Sequence, residues 1–326
     1  MKAPDSVLFS VLPSTFNGKL VFSLCSMCAR EKMQQYCEHE GAERHLEGTW
    51  CTPELLDALD NGYEIVKIHE VWHWDRRREG FFAEYIDTFL KIKIEASGWP
   101  TWCETEEHKD KYICEVMSRE GIELEKDKVG VNPGLKSICK LMLNWFWVKF
   151  GMRDNLTQTH FIHKPMEFYR LLRSKAKQIH DIHIVTEECA MVTTSQEEDY
   201  NEGNSTSNLA IAAFTTSYAR LRLLDMMRKL NDRVLYTDTD SVIYVSRPGD
   251  WEPELGTILG DWDNQLEPGE SHIVSFVSLG PKTYAYTTDT GRVEMWKDQV
   301  HYSKREYRKH PAACGRRVVS NRDSAE

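Results

Sequence analysis

Residues 233–245 read R-V-L-Y-T-D-T-D-S-V-I-Y-V. Two runs of aliphatic, β-branched and aromatic residues flank a short polar centre, the mark of a β-hairpin. Buried strands hold such a turn rigidly while its own side chains face a cleft. The turn carries two carboxylates, Asp238 and Asp240. Hard divalent cations such as Mg²⁺ take acidic oxygens, and nucleotidyl transfer uses two such ions to stabilise the attacking and leaving oxygens. Asp and Ser are also ordinary turn residues, so D-x-D alone leaves a plain solvated turn as the other reading. Apolar strands on both sides, with Tyr236 and Ser241 flanking, favour metal binding.

Helical periodicity dominates much of the rest. Residues 81–97 carry apolar side chains at Phe82, Tyr85, Ile86, Phe89, Leu90 and Ile92, and end in Gly98-Trp99-Pro100, a stop signal. A shorter pattern covers 108–119. The strongest covers 132–150, where Asn132 can cap the helix and Pro133 fits its first turn. On it Lys136, Lys140 and Asn144 recur at i, i+4 and i+8 and share a face. Leu141, Trp145 and Val148 share another and are expected to pack inward. Two ammonium groups and an amide in a row suit a triphosphate; a solvated lysine face is the alternative. A further helix is expected over 210–230. Residues 193–207 (TTSQEEDYNEGNSTS) read as an exposed loop. Residues 280–286 (GPKTYAY) read as a turn and a strand that puts Lys282 and Tyr284 on one face. From 291 onward the pattern weakens to an irregular basic tail.

The net charge is −10 over 326 residues. That argues against a protein that simply coats nucleic acid, but not against an enzyme that handles it through a local basic track. Basic residues cluster at Lys136, Lys140, Lys149 and Arg153, and again between Lys297 and Arg322. No run of about 18 apolar residues is present, so no membrane span is expected, and the first residues lack the apolar run of a signal peptide. Nine cysteines without a secretory signal imply reduced thiols or metal ligands in an intracellular, non-secreted protein. Cys25-x2-Cys28 followed by Cys37-x-His39 gives four soft ligands close together in the chain, enough for a tetrahedral zinc site; buried reduced cysteines are the plainer reading.

Y-T-D-T-D-S between hydrophobic strands is similar to motif C of family B DNA polymerases, and the chain resembles the protein-primed, Polinton-like members of that family. Residues 136–153 (KSICKLMLNWFWVKFGMR) resemble motif B, the fingers helix, through Lys140, Leu141, Leu143, Asn144, Trp147, Lys149, Phe150 and Gly151. Trp145 stands where serine is usual and Val148 where glycine is usual. Lys282-x-Tyr284 resembles the K-x-Y motif. The stretch from Leu12-Pro13 through Cys25, Cys28, Cys37 and His39 to Gly48-Thr49-Trp50 resembles the family's segment downstream of motif A. Residues 70–73 and 89–100 look like the approach to the fingers, and 208–223 like the palm helix before motif C. The likeness covers roughly residues 11–286.

The resemblance implies a DNA-directed DNA polymerase with an α+β fold, a palm with an antiparallel sheet plus helical fingers, truncated. Asp240 and Asp238 would hold Mg²⁺, and Lys140, Lys136, Asn144 and Tyr236 the nucleotide. Lys282, Tyr284 and Lys149 would contact DNA, and Cys25, Cys28, Cys37 and His39 would hold a structural Zn²⁺. The implied segments are a post-motif-A palm region with the zinc ligands (1–80), fingers (81–165), palm with motif C and K-x-Y (166–290) and a divergent basic tail (291–326). Implied partners are a DNA primer–template, deoxynucleoside triphosphates and a terminal protein primer. The sequence contains no D-x-x-S-L-Y-P segment, which is the family's motif A, and no exonuclease half. By the resemblance Met1 falls shortly after motif A, so an incomplete fragment without robust polymerase activity of its own is expected. Two other readings are a non-catalytic nucleic-acid-binding remnant of a transposon polymerase and a zinc-stabilised interaction domain.

Overall fold

The computed structural model describes residues 1–33, 35–153, 155–200, 207–297, 300–305 and 316–321. It is a mixed α+β structure with antiparallel sheets. The chain divides into two compact units, one of residues 1–144 and 214–326, the other of residues 145–213.

The first unit opens with a small hairpin, β1 (Ser14–Phe16) and β2 (Lys19–Val21). Five helices come next: α1 (Ser26–Glu31), α2 (Thr52–Asp60), α3 (Ala83–Glu95), α4 (Glu106–Glu120) and α5 (Pro133–Phe150). Their limits arise from local chemistry. The Thr105 hydroxyl accepts the His108 N–H at 3.2 Å to start α4, and Gly121 at φ +71° stops it. Asn132 Oδ1 accepts the Leu135 N–H at 3.1 Å to start α5. Gly98, at φ +75°, stands where a Cβ would lie 2.7 Å from Val131, so the turn after α3 needs glycine. Carbonyls of Glu95 and Ala96 then accept the N–H groups of Gly130 and Asn132, joining the end of α3 to the approach of α5.

Leu90, Cys103, Tyr112, Val116, Ile122 and Leu124 form the buried cluster under these helices. α5 meets it through Leu143, with Cys139 buried one turn earlier. This corrects the inward face expected for that helix: Leu141, Trp145 and Val148 are exposed. Residues two apart on a helix are separated by about 200°, so once Cys139 and Leu143 set the packed stripe, Leu141 and Trp145 face away.

The second unit contains β3 (Gln158–Ile162), α6 (Pro165–Leu172), β4 (Lys177–Thr186) and β5 (Cys189–Gln196), with strand order β3-β5-β4. Strand β5 overrides the exposed loop expected from residue 193. Thr194 and Ser195 are buried there and hydrogen-bonded to His160 and His180. Their polarity is satisfied inside the sheet, so it is no loop signal. Residues 201–206 of that stretch lie outside the described residues.

Helix α7 (Leu209–Leu230) leads back to the first unit. There its Arg220 Nε donates to buried Glu54 of α2 at 2.8 Å, and Arg228 makes two bonds to Asp57. The main sheet is built from β6 (Val234–Asp238), β7 (Ser241–Val245), β8 (Trp262–Asn264), β9 (Ile273–Gly280), β10 (Thr283–Thr288), β11 (Arg292–Lys297), β12 (Val300–Arg305) and β13 (Arg316–Asn321). Its order is β12-β11-β10-β9-β13-β7-β6, with β8 also on β13, and every pairing is antiparallel. The expected irregular tail is therefore corrected over three stretches, which are strands. The signal was hidden because one face of β11 is charged: buried Arg292 and Glu294 pair with each other. Residues 306–315 and 322–326, with Cys314, lie outside the described residues. No described helix is long and apolar enough to cross a membrane.

Candidate functional site

The hairpin β6–β7 pairs Asp238 with Ser241 across a two-residue turn. Thr239, at the tip, has φ +50°. A β-branched residue is costly in that left-handed region, and the surrounding sheet holds it there. Val242, Ile243 and Tyr244 are all buried, so the base of the hairpin is fixed. Thr239 Oγ1 donates to Asp238 Oδ1 at 3.1 Å, and Ser241 Oγ donates to the Asp238 carbonyl at 3.1 Å.

The β9–β10 turn comes against this hairpin. The Lys282 N–H donates to the Tyr236 hydroxyl at 2.8 Å, and Lys282 Nζ makes an ion pair with Asp238 Oδ1. Lys282 is itself at φ +57°. Burial pushes the Tyr236 phenol above its ordinary pKa; the Lys282 N–H works against that and the Asp238 charge adds to it. The phenol therefore stays neutral across physiological pH, its oxygen an acceptor held by one backbone donor.

These groups line a cleft of about 1160 Å³ within the first unit. One wall comes from α3 to α5, with Lys93, Tyr112, Lys136 and Lys140. The sheet contributes Tyr236, Asp238, Asp240, Asp263, Lys282, Tyr284, Tyr286, Arg292, Glu294 and Trp296. Lys136, Lys140, Tyr236, Asp238, Asp240, Lys282 and Tyr284, all singled out from sequence, thus share one space. Asn144 is half-buried and not part of the lining, and Lys149 is exposed in the second unit. Tyr286, Trp296, Asp263, Arg292 and Glu294 were missed by sequence reasoning. The alternation Tyr284-x-Tyr286 was the available signal for the first.

Arg292, in the cleft lining, binds Glu270 through two bonds of 2.7 Å and also pairs with Glu294. Burial alone would raise the Glu270 carboxyl, but Arg292, Thr288, Thr290 and the Glu267 N–H outweigh it and hold it at about 2.

Near β2, Cys25, Cys28, Cys37 and His39 bring their ligand atoms within 4.8 Å of one another. His39 Nδ1 lies 3.6, 3.3 and 3.7 Å from the three sulfurs. Zn–S bonds of about 2.3 Å in a tetrahedron separate ligand atoms by about 3.8 Å, so the spacing and the soft donor set fit such an ion. His39 Nε2 faces Glu31 at 3.8 Å, as a carboxylate behind a ligating imidazole would. Burial pushes the Cys28 thiol up to about 12, while its hydrogen bond lowers Cys37 to about 7. The cluster could hold a metal such as zinc. It is the one convergent group of three or more ligating side chains among the described residues; Asp238 and Asp240 both line the cleft, and carboxylate oxygens suit a harder ion.

No family model, curated protein or solved structure matches the chain.

Proposed function

We propose that the chain carries the nucleotide- and primer-binding part of a template-directed DNA polymerase site, a nucleotidyltransferase of the family B, protein-primed type. One observation supports this: Lys136 and Lys140, Asp238 and Asp240, and Lys282 and Tyr284 come from three separate stretches of chain and line a single cleft. In this reading Lys136 and Lys140 offset the charge of a deoxynucleoside triphosphate. Asp238 and Asp240 hold a divalent cation, which supplies Lewis-acid stabilisation when bound. Lys282, which pairs with Asp238, would supply an ammonium group to a phosphate of the primer strand. Tyr236, fixed by the Lys282 N–H, lies in the cleft near the primer end and the nucleotide.

The reaction joins a 3′ hydroxyl to the α-phosphorus and releases pyrophosphate. Two-metal chemistry needs a further carboxylate opposite Asp240, and the sequence has no D-x-x-S-L-Y-P segment to supply it. The chain alone is therefore expected to bind nucleotide and primer–template but to extend primers poorly. A terminal protein is proposed as the natural primer. The Cys25, Cys28, Cys37 and His39 cluster is assigned a structural Zn²⁺, since four protein ligands leave no position for substrate.

Primer extension with Mg²⁺ tests this on the chain and on a version carrying an upstream D-x-x-S-L-Y-P segment. Extension by the longer version alone supports the reading. Nucleotide and DNA binding without extension by either indicates a nucleic-acid-binding remnant. Stoichiometric zinc with no salt-dependent DNA binding indicates the interaction domain, which the Cys-His cluster favours.

A further inference from the structure

Five aromatic rings lie together on the sheet beside the acidic turn. Tyr236 and Tyr284 have ring centres 4.8 Å apart, and Phe276 lies 5.9 and 6.1 Å from them. Tyr284 is near-parallel to Tyr286, at 6.5 Å and 11°, and to Trp296, at 6.4 Å and 23°. The strand register explains the row. Tyr284 pairs with Trp296 across β10–β11, and Tyr286 comes after Tyr284 on the same face two residues on.

Phe276 serves the core, packing with Tyr236, Tyr284 and Tyr286 on Ile243, Leu266 and Ile273. Trp296 is not part of that cluster, yet it lines the cleft with Tyr284 and Tyr286 and is half-buried. The row starts at Lys282, whose ammonium meets Asp238, and runs along β10 to Tyr286, which faces Glu294 across β10–β11. Lys93, Lys136 and Lys140 line the same cleft, as do Asp263, Glu267 and Glu294. Near-parallel aromatic faces with cations around them are how proteins hold nucleic-acid strands without reading sequence. A step of 6.5 Å between ring centres spans about two nucleotides at 3.4 Å each.

Resting on the function proposed above, we infer that Tyr286 and Trp296 extend the site into a stacking platform for the 3′-hydroxyl-bearing strand, holding nucleotides behind the one that reacts. The ligand is a DNA strand, met at its sugar edges and at the faces of any unpaired bases, and so with little sequence preference. The nucleoside triphosphate, on the lysine side of the cleft, does not touch the platform.

The test compares the full chain with Trp296→Leu, which keeps apolar bulk and loses the ring face, and Trp296→Phe, which keeps a ring. Equilibrium binding of a fluorescent primer–template is measured at fixed salt, beside binding of a fluorescent deoxynucleoside triphosphate with Mn²⁺. Trp296→Leu is expected to weaken DNA binding about 5- to 100-fold, Trp296→Phe to retain most of it, and both to leave nucleotide affinity unchanged. A primer with 5-iododeoxyuridine near its 3′ end should photocrosslink to the unmodified chain within residues 284–296, a readout that needs no variant. Unchanged DNA affinity in a folded Trp296→Leu, or crosslinks confined to other regions, would overturn the platform while leaving the polymerase reading intact. An unmodified chain that binds neither DNA nor nucleotide would sink both.

Discussion

The acidic hairpin and the cysteine cluster are both candidate metal sites, and they differ in nearly every respect. At Cys25, Cys28, Cys37 and His39 the ligands are soft, four in number and within 4.8 Å of one another, so an ion there would be held by protein ligands alone. At Asp238 and Asp240 the ligands are hard, two in number and set at the rim of an open cleft, one of them held by Lys282. A closed set is complete in itself and suits structure. An open pair leaves positions for substrate oxygens and suits chemistry. The same contrast appears in the backbone. The cysteines need little more than one short helix and a turn, whereas the aspartates flank a strained Thr239 supported by the buried strand β7.

Four changes sharpen or break that contrast. Cys28→Ser should have the largest effect: zinc stoichiometry falls to near zero and the N-terminal region loses several kcal/mol, since structural zinc is worth about 10 kcal/mol or more. Thermal melts with and without a chelator check this. Nucleotide affinity should stay within about 3-fold, because the cleft does not use these ligands; a collapse of both together would merge the two sites into one.

Asp240→Asn should do the reverse. Metal-dependent nucleotidyl transfer in an extension-competent version falls about 10³-fold, the scale of losing a principal charge at a reacting centre, while the melting temperature hardly moves. A steady-state rate beside a melt decides it.

Glu270→Gln leaves Arg292 incompletely paired and should cost about 3 kcal/mol, read by urea denaturation. The pH sign comes from the depressed carboxyl at about 2. An unfolded glutamate titrates near 4.3, so its contribution is present above about 4.3 and is lost as pH falls toward 2. Stability should drop between pH 5 and 3 more steeply in the unmodified chain than in Glu270→Gln. Parallel curves would mean that Glu270 carries none of this acid sensitivity.

Lys140→Ala is the smallest change, weakening nucleotide binding by about 10-fold for one lost charge-assisted contact. Isothermal titration with Mn²⁺ measures it.

Much of this was legible in the residues themselves. The hairpin at 233–245, helices α3, α4, α5 and α7 and the turn at Lys282 all came from periodicity, caps and turn chemistry. Features governed by pairing between distant strands were not legible. Strand β11 hides its alternation because its buried face carries Arg292 and Glu294, and the pairing of Arg292 with Glu294 and Glu270 exists only after folding. Strand β5 looked like loop because Thr194 and Ser195 find histidine partners on neighbouring strands. The packed stripe of α5 was misplaced because Leu141 and Trp145 outweigh Cys139 in hydrophobicity, yet Cys139 and Leu143 are the residues that meet the core. The cysteine ligands were legible because their contacts lie close together in sequence.

The most direct measurement is a double-mutant cycle on nucleotide binding, with Mn²⁺ present, using Lys140→Ala, Asp240→Asn and the pair together. If the basic helix and the acidic turn grip one metal–triphosphate ligand from two sides, the double variant should lose less than the sum of the single losses, with a coupling of about 1 kcal/mol or more. Strict additivity, or full nucleotide affinity in both single variants, would contradict a shared site.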